Sequence, residues 1–225
     1  MYEDLVKQFN DKYTEEEKNL LFLYKSKIGV AIDCLNEEED KVYEIYEYYK
    51  KALKESKNAV MSFTVFRDIS LTDFSSFKRS LQNITMEIEP LLSRLELKSD
   101  MTVYRMVSIN KKPNSFFLSR QSIVPTSIDI DEFLNSCFDD DANEYYLYQI
   151  NLAKGSRVAV CPYTSDANSK DEQFGSTLEK ELILDKGRYD FNFNDEREIV
   201  LSNSTKVKVI SLDAQEMAIV NEMSK

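Results

Sequence analysis

Apolar residues recur at helical spacing through much of the first hundred positions of the chain. Thr14–Glu17 is a capping-box pattern ahead of an apolar face, and it predicts a helix over Tyr13–Leu35 that contains Gly29. Asn36–Glu39 repeats the same start signal. The face that follows predicts a second helix, with apolar positions at Val42, Ile45, Tyr46, Tyr49 and Leu53.

Three shorter patterns follow in the first half of the chain. Residues 61–67 are rich in strand formers and predict a short strand. A helix capped by Thr72 or Asp73 is predicted by the apolar face of Phe74, Phe77 and Leu81. Pro90 opens one more predicted helix, whose apolar positions are Leu91, Leu92 and Leu95.

From about residue 98 the pattern changes to short runs of strand formers separated by turn signals. We predict strands at Thr102–Val107, Tyr145–Ile150, Val158–Cys161, Glu181–Leu184, Tyr189–Phe193 and Val207–Leu212. One helix, over Asp129–Cys137, interrupts them. Helices followed by strands predict an α+β fold, with a helical region at 1–97 and a β-rich region at 98–225 that together form one compact unit.

Composition narrows the class of protein. The 225 residues suit one large domain, or one domain with an added helical lobe. Asp and Glu number 40 against 29 Lys and Arg, so the net charge of −11 argues against a nucleic-acid partner. The apolar runs are far shorter than the ~20 residues of a membrane helix, and the first residues lack a signal-peptide pattern. We therefore expect an intracellular protein, cytoplasmic or acting inside a host cell, with no membrane partner.

Residue types that are absent or sparse exclude several kinds of chemistry. The chain has no His, which excludes Ser-His and Cys-His catalysis and His-ligated metals. Its three Cys are widely separated, so neither a disulfide framework nor a zinc knuckle is expected. Its four Gly lie too far apart for a phosphate-binding glycine loop. The remaining chemistry comes from carboxylates, basic groups, hydroxyls, phenols and backbone, and we expect no metal.

Three segments carry candidate chemistry. Arg105 ends a run of strand formers, Thr126-Ser127 follows Pro125 at a strand-to-helix junction, and Glu179-Lys180-Glu181 precedes an apolar strand. Each has an ordinary structural explanation as well. An Arg can be an exposed strand residue, a Thr-Ser pair can cap a helix, and charged residues often guard the edge of a sheet.

In this order the three segments resemble the ADP-ribosyltransferase family, specifically the Arg–Ser–Glu class of clostridial and insecticidal toxins and their phage and viral relatives. In that family an Arg on the first core strand is followed by a Ser-Thr-Ser triplet and later by a Glu-x-Glu pair. Arg105, Thr126-Ser127 and Glu179-Lys180-Glu181 match that order. The resemblance implies an ADP-ribosyltransferase core of two packed sheets, mixed or antiparallel, and covers most of 98–213 and part of 1–36.

The resemblance further implies a mono-ADP-ribosyltransferase that uses NAD as substrate and releases nicotinamide. Glu181 would stabilise the positive charge that develops on the ribose, and Arg105 would bind the pyrophosphate. Thr126 and Ser127 would hold Glu181 by hydrogen bonds. Glu179 would face the acceptor, a protein of unknown identity, and its residue type goes with arginine as the target.

The chain departs from the family pattern at several positions. Pro125 replaces the first Ser of the triplet, which usually orients the catalytic Glu, and Met106 stands where a Gly commonly follows the Arg. Arg67 competes with Arg105 for its role, and residues 37–97 match no family segment. Three alternatives therefore stay open: an NAD glycohydrolase, a catalytically degenerate binding module of the same fold, and an unrelated acidic α+β protein in which the three segments lie far apart.

Overall fold

The computed structural model describes residues 2–24, 26–35, 38–55, 69–109, 123–130, 144–162 and 180–217. Backbone contacts group the chain into two compact units. One unit contains Met1–Phe9, Leu92–Val160 and Glu179–Lys225, and the other contains Asn10–Leu91 and Cys161–Leu178. Among the described helices, none is long and apolar enough to cross a membrane.

Five described helices precede the strands. They are α1 (Tyr2–Lys12), α2 (Glu15–Tyr24), α3 (Lys27–Cys34), α4 (Glu39–Glu55) and α5 (Phe74–Ile88). Asp73 caps α5, because its Oδ1 accepts a hydrogen bond from the backbone N–H of Ser76 at 2.8 Å. This bears out one of the two predicted caps. Helix α1 was not predicted, and it buries Leu5 and Phe9.

The predicted helix over Tyr13–Leu35 is two helices, α2 and α3. Ser26 separates them by accepting a hydrogen bond from the N–H of Ile28 and donating one to the carbonyl of Leu23. The residue types favour a helix on both sides, so the apolar spacing continues across the break. The prediction of a single helix is wrong because a local Ser cap competes with helix continuation.

The helix predicted to begin after Pro90 is also wrong. A 3-10 turn, Glu89–Leu91, follows α5 directly, and strand β1 (Leu95–Glu96) comes next. The backbone N–H of Leu97 donates to the carbonyl of Ser156, next to the pairing of β1 with β5. The leucines are buried as expected, but tertiary strand pairing decides the backbone conformation.

Of the seven remaining strands, six confirm the six predicted runs and extend each of them, and the seventh contains Pro125-Thr126-Ser127. They are β2 (Met101–Ile109), β3 (Ile123–Ser127), β4 (Glu144–Leu152), β5 (Arg157–Cys161), β6 (Glu181–Asp185), β7 (Tyr189–Val200) and β8 (Lys206–Glu216). The α+β fold class is therefore confirmed. The strand predicted at 61–67 and most of the helix predicted at Asp129–Cys137 lie outside the described residues.

The described strands form one eight-stranded sheet in the order β1-β5-β6-β3-β2-β4-β8-β7. β4 and β8 run parallel, and the other registered pairs are antiparallel, so the sheet is mixed. The prediction of a mixed or antiparallel sheet is confirmed, and its division into two packed sheets stays a prediction. Alternating apolar residues show that a strand has a buried face, but they do not show whether two strands pair or stack.

The two faces of the sheet differ along β2 and β4. Met101, Val103 and Val107 are buried on one face, beside Ile150 and Leu152 of the neighbouring strand. The opposite face is half-exposed at Thr102, Tyr104 and their polar neighbours on β4. Polar side chains thus lie on one face of these strands, and the apolar core lies on the other.

Candidate active site

The three predicted segments lie on adjacent strands. Ser127 on β3 pairs with Glu181 on β6, and the same Ser127 pairs on its other side with Tyr104 on β2. The three paired residues therefore lie side by side across β6, β3 and β2. The distance from β6 to β2 is two strand spacings, or roughly 10 Å. Arg105 follows Tyr104 directly. The three segments are therefore close together in the sheet.

The alternation of side chains divides the candidate residues between the two faces of the sheet. Glu181, Ser127 and Tyr104 share one face because they are directly paired. Arg105 and Thr126, each one position away, start from the other face. Arg105 and Glu181 therefore start from opposite faces of the sheet on nearby strands, and the alternative of an unrelated α+β protein stays open.

The registered pairing between β2 and β3 is short, and the stretch beyond it is called the opening below. Among the described residues the pairing of these strands consists of one pair, Tyr104 with Ser127. Farther along β3, the carbonyl of Pro125 accepts a hydrogen bond from Nη1 of Arg105 at 2.7 Å. A guanidinium thus lies where a regular sheet would have a backbone donor.

The two predicted hydroxyls bind backbone groups. Thr126, which is 2% exposed, donates from Oγ1 to the carbonyl of Leu182 at 2.9 Å. The Ser127 hydroxyl accepts from the backbone N–H of Asp129 at 3.1 Å, and donates to the carbonyl of the same residue at 3.3 Å. Thr126 therefore ties β3 to β6, and Ser127 forms the turn that ends β3. This is a local Ser turn.

Glu181 begins β6 in a half-buried position. Its Oε2 is buried, while Ser127 and Tyr104 lie on the same face of the neighbouring strands. The backbone N–H of Ile128 donates to the carbonyl of Lys180 at 3.1 Å, which fixes the register at the start of the strand. The strand that carries this carboxyl group therefore has a fixed register. Glu179 lies outside the described residues.

Two residues beside the predicted site had not been assigned a role. Tyr104 lies in the row of Ser127 and Glu181, and Pro125 supplies the carbonyl that holds Arg105. Pro125 was noted only as a departure from a motif. The signal that could have found its role is a Pro inside a strand, which marks a place where a ladder of backbone hydrogen bonds stops.

The donor set suits a dinucleotide phosphate better than a metal. A guanidinium presents a planar set of N–H donors that matches phosphate oxygens, and a nearby carboxylate can bind ribose hydroxyls. Within the described part of the chain, no group of three or more His, Cys, Asp or Glu is arranged to hold a metal ion.

Comparison with solved structures identifies the fold. Plx2a, an ADP-ribosyltransferase toxin from Paenibacillus larvae, matches with a TM-score of 0.55 at 15% identity, over 95% of this chain and 92% of that one. The fold is that of ADP-ribosyltransferase toxins. C3larvin from the same organism matches at 0.47 and 15% identity, over 95% and 93% of the two chains. Vis toxin from Vibrio splendidus matches at 0.45 and 11% identity, over 96% and 79%.

Comparisons by sequence find no counterpart. No family model matches the chain, and no curated protein matches it. The likeness therefore lies in the fold.

Proposed function

We propose that the protein is an NAD-dependent mono-ADP-ribosyltransferase that transfers ADP-ribose to an arginine of a protein acceptor and releases nicotinamide. One observation carries the proposal: within a fold shared with ADP-ribosyltransferase toxins, Arg105, Ser127 and Glu181 come from three neighbouring strands. The segments that bring these residue types together are separated by as many as 76 positions in the chain.

Glu181 is the proposed catalytic carboxylate. NAD supplies a good leaving group, nicotinamide, so the chain has to stabilise the positive charge that develops on the ribose. A fixed negative charge does this at little reorganisation cost, and its effect is larger where water is partly excluded. The buried Oε2 and the half-buried position of Glu181 supply both conditions.

Arg105 is the proposed pyrophosphate ligand. One of its N–H groups is directed to the carbonyl of Pro125, which orients the guanidinium at the opening between β2 and β3. An Arg can bind phosphate oxygens with two parallel hydrogen bonds, which a Lys cannot do. Thr126 and Ser127 contribute by fixing the strands that carry Glu181 and Arg105.

Glu179 is the proposed acceptor-facing carboxylate. It precedes Glu181 by two positions, and residues two apart on a strand share a face. An arginine acceptor is protonated at neutral pH, so a carboxylate beside it can orient it and help to remove a proton. The acidic charge of the whole chain also suits an acceptor with a basic surface.

The test is transfer of label from NAD to agmatine and to lysate proteins by the wild type and by Glu181→Gln. We expect the variant to lose roughly 100-fold or more in kcat, as happens when a preorganised electrostatic contact to a transition state is removed. Glu196→Gln, on the exposed part of β7, is the matched control and should keep full activity. Equal activity of Glu181→Gln and wild type would refute the proposal. Free ADP-ribose as the sole product would make the protein an NAD glycohydrolase instead.

A second candidate, a degenerate binding module, is favoured by the backbone partners of the two hydroxyls. Thr126 and Ser127 bind Leu182 and Asp129, and Pro125 has no hydroxyl to offer Glu181. Calorimetry distinguishes the two functions. An NAD-using enzyme gives a binding signal that Arg105→Ala weakens, whereas the degenerate module gives none with either protein.

A further inference from the structure

The backbone of β3 has a defined direction at each residue. The N–H of Ile128 donates to Lys180, which leads into β6, so even-numbered residues of this segment direct their N–H and C=O groups toward β6. Odd-numbered residues direct theirs toward β2. The hydrogen bond from Arg105 to the carbonyl of Pro125 agrees with this assignment.

Pro125 therefore occupies the position of a missing rung. After the pair Tyr104–Ser127, the next rung of an antiparallel ladder would join Met106 with Pro125. A proline has no backbone N–H, so it cannot donate to the carbonyl of Met106. The described register between β2 and β3 indeed stops at Tyr104–Ser127.

The consequence falls on Arg105. The carbonyl of Pro125 accepts a hydrogen bond from Nη1 of Arg105. We infer that Pro125 is a positioning residue, which ends the β2–β3 ladder and holds the guanidinium of Arg105 at the opening that results. The part of this inference that concerns NAD rests on the proposed function.

A Ser at this position, as in the triplet that the segment resembles, would have two effects. It would restore an N–H directed at β2, and it would place a hydroxyl on the face of Glu181, because residue 125 and Ser127 share that face. This chain gives up that hydroxyl and gains a fixed carbonyl for Arg105. Pro125 thus positions Arg105 in this chain, so its difference from the Ser of the triplet is a change in how the site is arranged and not a loss of function.

The first measurement is the KM for NAD of Pro125→Ala. This substitution restores the N–H and lets the ladder extend, which displaces Arg105 from its acceptor. We expect the KM for NAD to rise roughly 10- to 100-fold, the effect of losing one charge-assisted hydrogen bond, while kcat changes less than about twofold. A merely structural role would not separate KM from kcat in this way.

Val124→Ala is the matched control. Val124 is fully buried on the same strand, so its truncation destabilises the protein but changes no backbone donor. Its KM for NAD should stay within about twofold of the wild type. A rise as large as that of Pro125→Ala would overturn the inference, since general loosening of β3 would then explain both. An unchanged KM in Pro125→Ala would overturn it too, while the proposed function would stand.

The second measurement does not depend on NAD. Hydrogen exchange reports on the amide that Pro125→Ala introduces, and we expect its protection to exceed that of an unstructured amide by tenfold or more, because it joins the ladder to Met106. Replacing residue 125 by lactic acid removes that N–H again and should restore the wild-type KM. If the introduced amide exchanges freely, something other than the missing N–H separates the strands, and the inference fails. If the wild type neither binds nor cleaves NAD, the proposed function fails, and the exchange result alone decides whether Pro125 ends the ladder.

Discussion

Tyr49 shows how the position of a single residue sets its chemistry. It lies on the apolar side of α4 and is 8% exposed. Burial raises the pKa of its phenol to about 12, a hydrogen bond with Ser26 acts in the opposite direction, and Tyr48 adds to the increase. The hydroxyl therefore keeps its proton in the native protein well above the pH at which a tyrosine in the unfolded chain loses it.

This shift predicts the alkaline stability of the protein. Between pH 10 and 12 the unfolded state gives up the Tyr49 proton first, so stability falls as pH rises, by up to about 1.4 kcal/mol per pH unit. Below pH 10 this contribution is complete. Tyr49→Phe should flatten the decline of unfolding free energy over that window, measured by urea denaturation at each pH.

Tyr43→Phe is the control for this measurement, because Tyr43 is 48% exposed on the same helix. It should keep the alkaline slope of the wild type. An identical slope in Tyr49→Phe would show that the buried phenol is not responsible.

At the site, residue types could be predicted and their contacts could not. Arg105, Thr126, Ser127 and Glu181 were selected because carboxylate, guanidinium and hydroxyl groups suit NAD chemistry, and the structure places them on adjoining strands. Which groups the hydroxyls bind depends on backbone that arrives from elsewhere in the chain. The carbonyl of Leu182 lies 56 positions from Thr126 in the sequence, so no local pattern predicts this hydrogen bond.

At the scale of elements, two helix starts are predicted correctly because their signals are local. Asp73 and the capping box at Thr14 bond their own chain within three residues, so sequence contains the whole signal. The break between α2 and α3 depends on packing as well. A side chain at Gly29 would overlap the backbone carbonyl of Tyr24, so the close approach of these helices requires a glycine.

Gly29→Ala tests this element directly. Helix propensity alone favours Ala over Gly by about 1 kcal/mol, but overpacking typically costs about 1–3 kcal/mol, and here the obstacle is backbone that cannot rotate away. We therefore expect a net loss of at least about 1 kcal/mol in unfolding free energy by urea denaturation. Val30→Ala, at an adjacent position that is 45% exposed, should change it by less than about 0.5 kcal/mol. A Gly29→Ala protein as stable as the wild type would show that the helices can separate at no cost.

At the scale of the whole molecule, the net charge of −11 predicts how the proposed acceptor is recruited. An acidic protein attracts a basic partner over a distance that salt shortens, from about 10 Å at 0.1 M to about 3 Å at 1 M. We expect kcat/KM for an arginine-rich peptide acceptor to fall about tenfold or more over that range of salt. The measurement is label transfer from NAD at each ionic strength.

Release of ADP-ribose to water in the absence of acceptor is the control for salt, because it involves no basic partner. Its rate should change far less over the same range. A salt effect of equal size on both reactions would place the dependence on NAD binding rather than on the acceptor.

The sequence by itself determined the class of fold, the positions of most strands and the residue types of the candidate site, because periodicity, caps and chemical type are properties of short segments. Tertiary structure alone decided two things: the strand at Leu95–Glu96 in place of a helix, and the order β6-β3-β2 that brings Glu181, Ser127 and Arg105 onto neighbouring strands. Each depends on backbone hydrogen bonds or close contacts formed as distant segments meet. Such contacts are selected by the free energy of the whole packed chain rather than by any one segment.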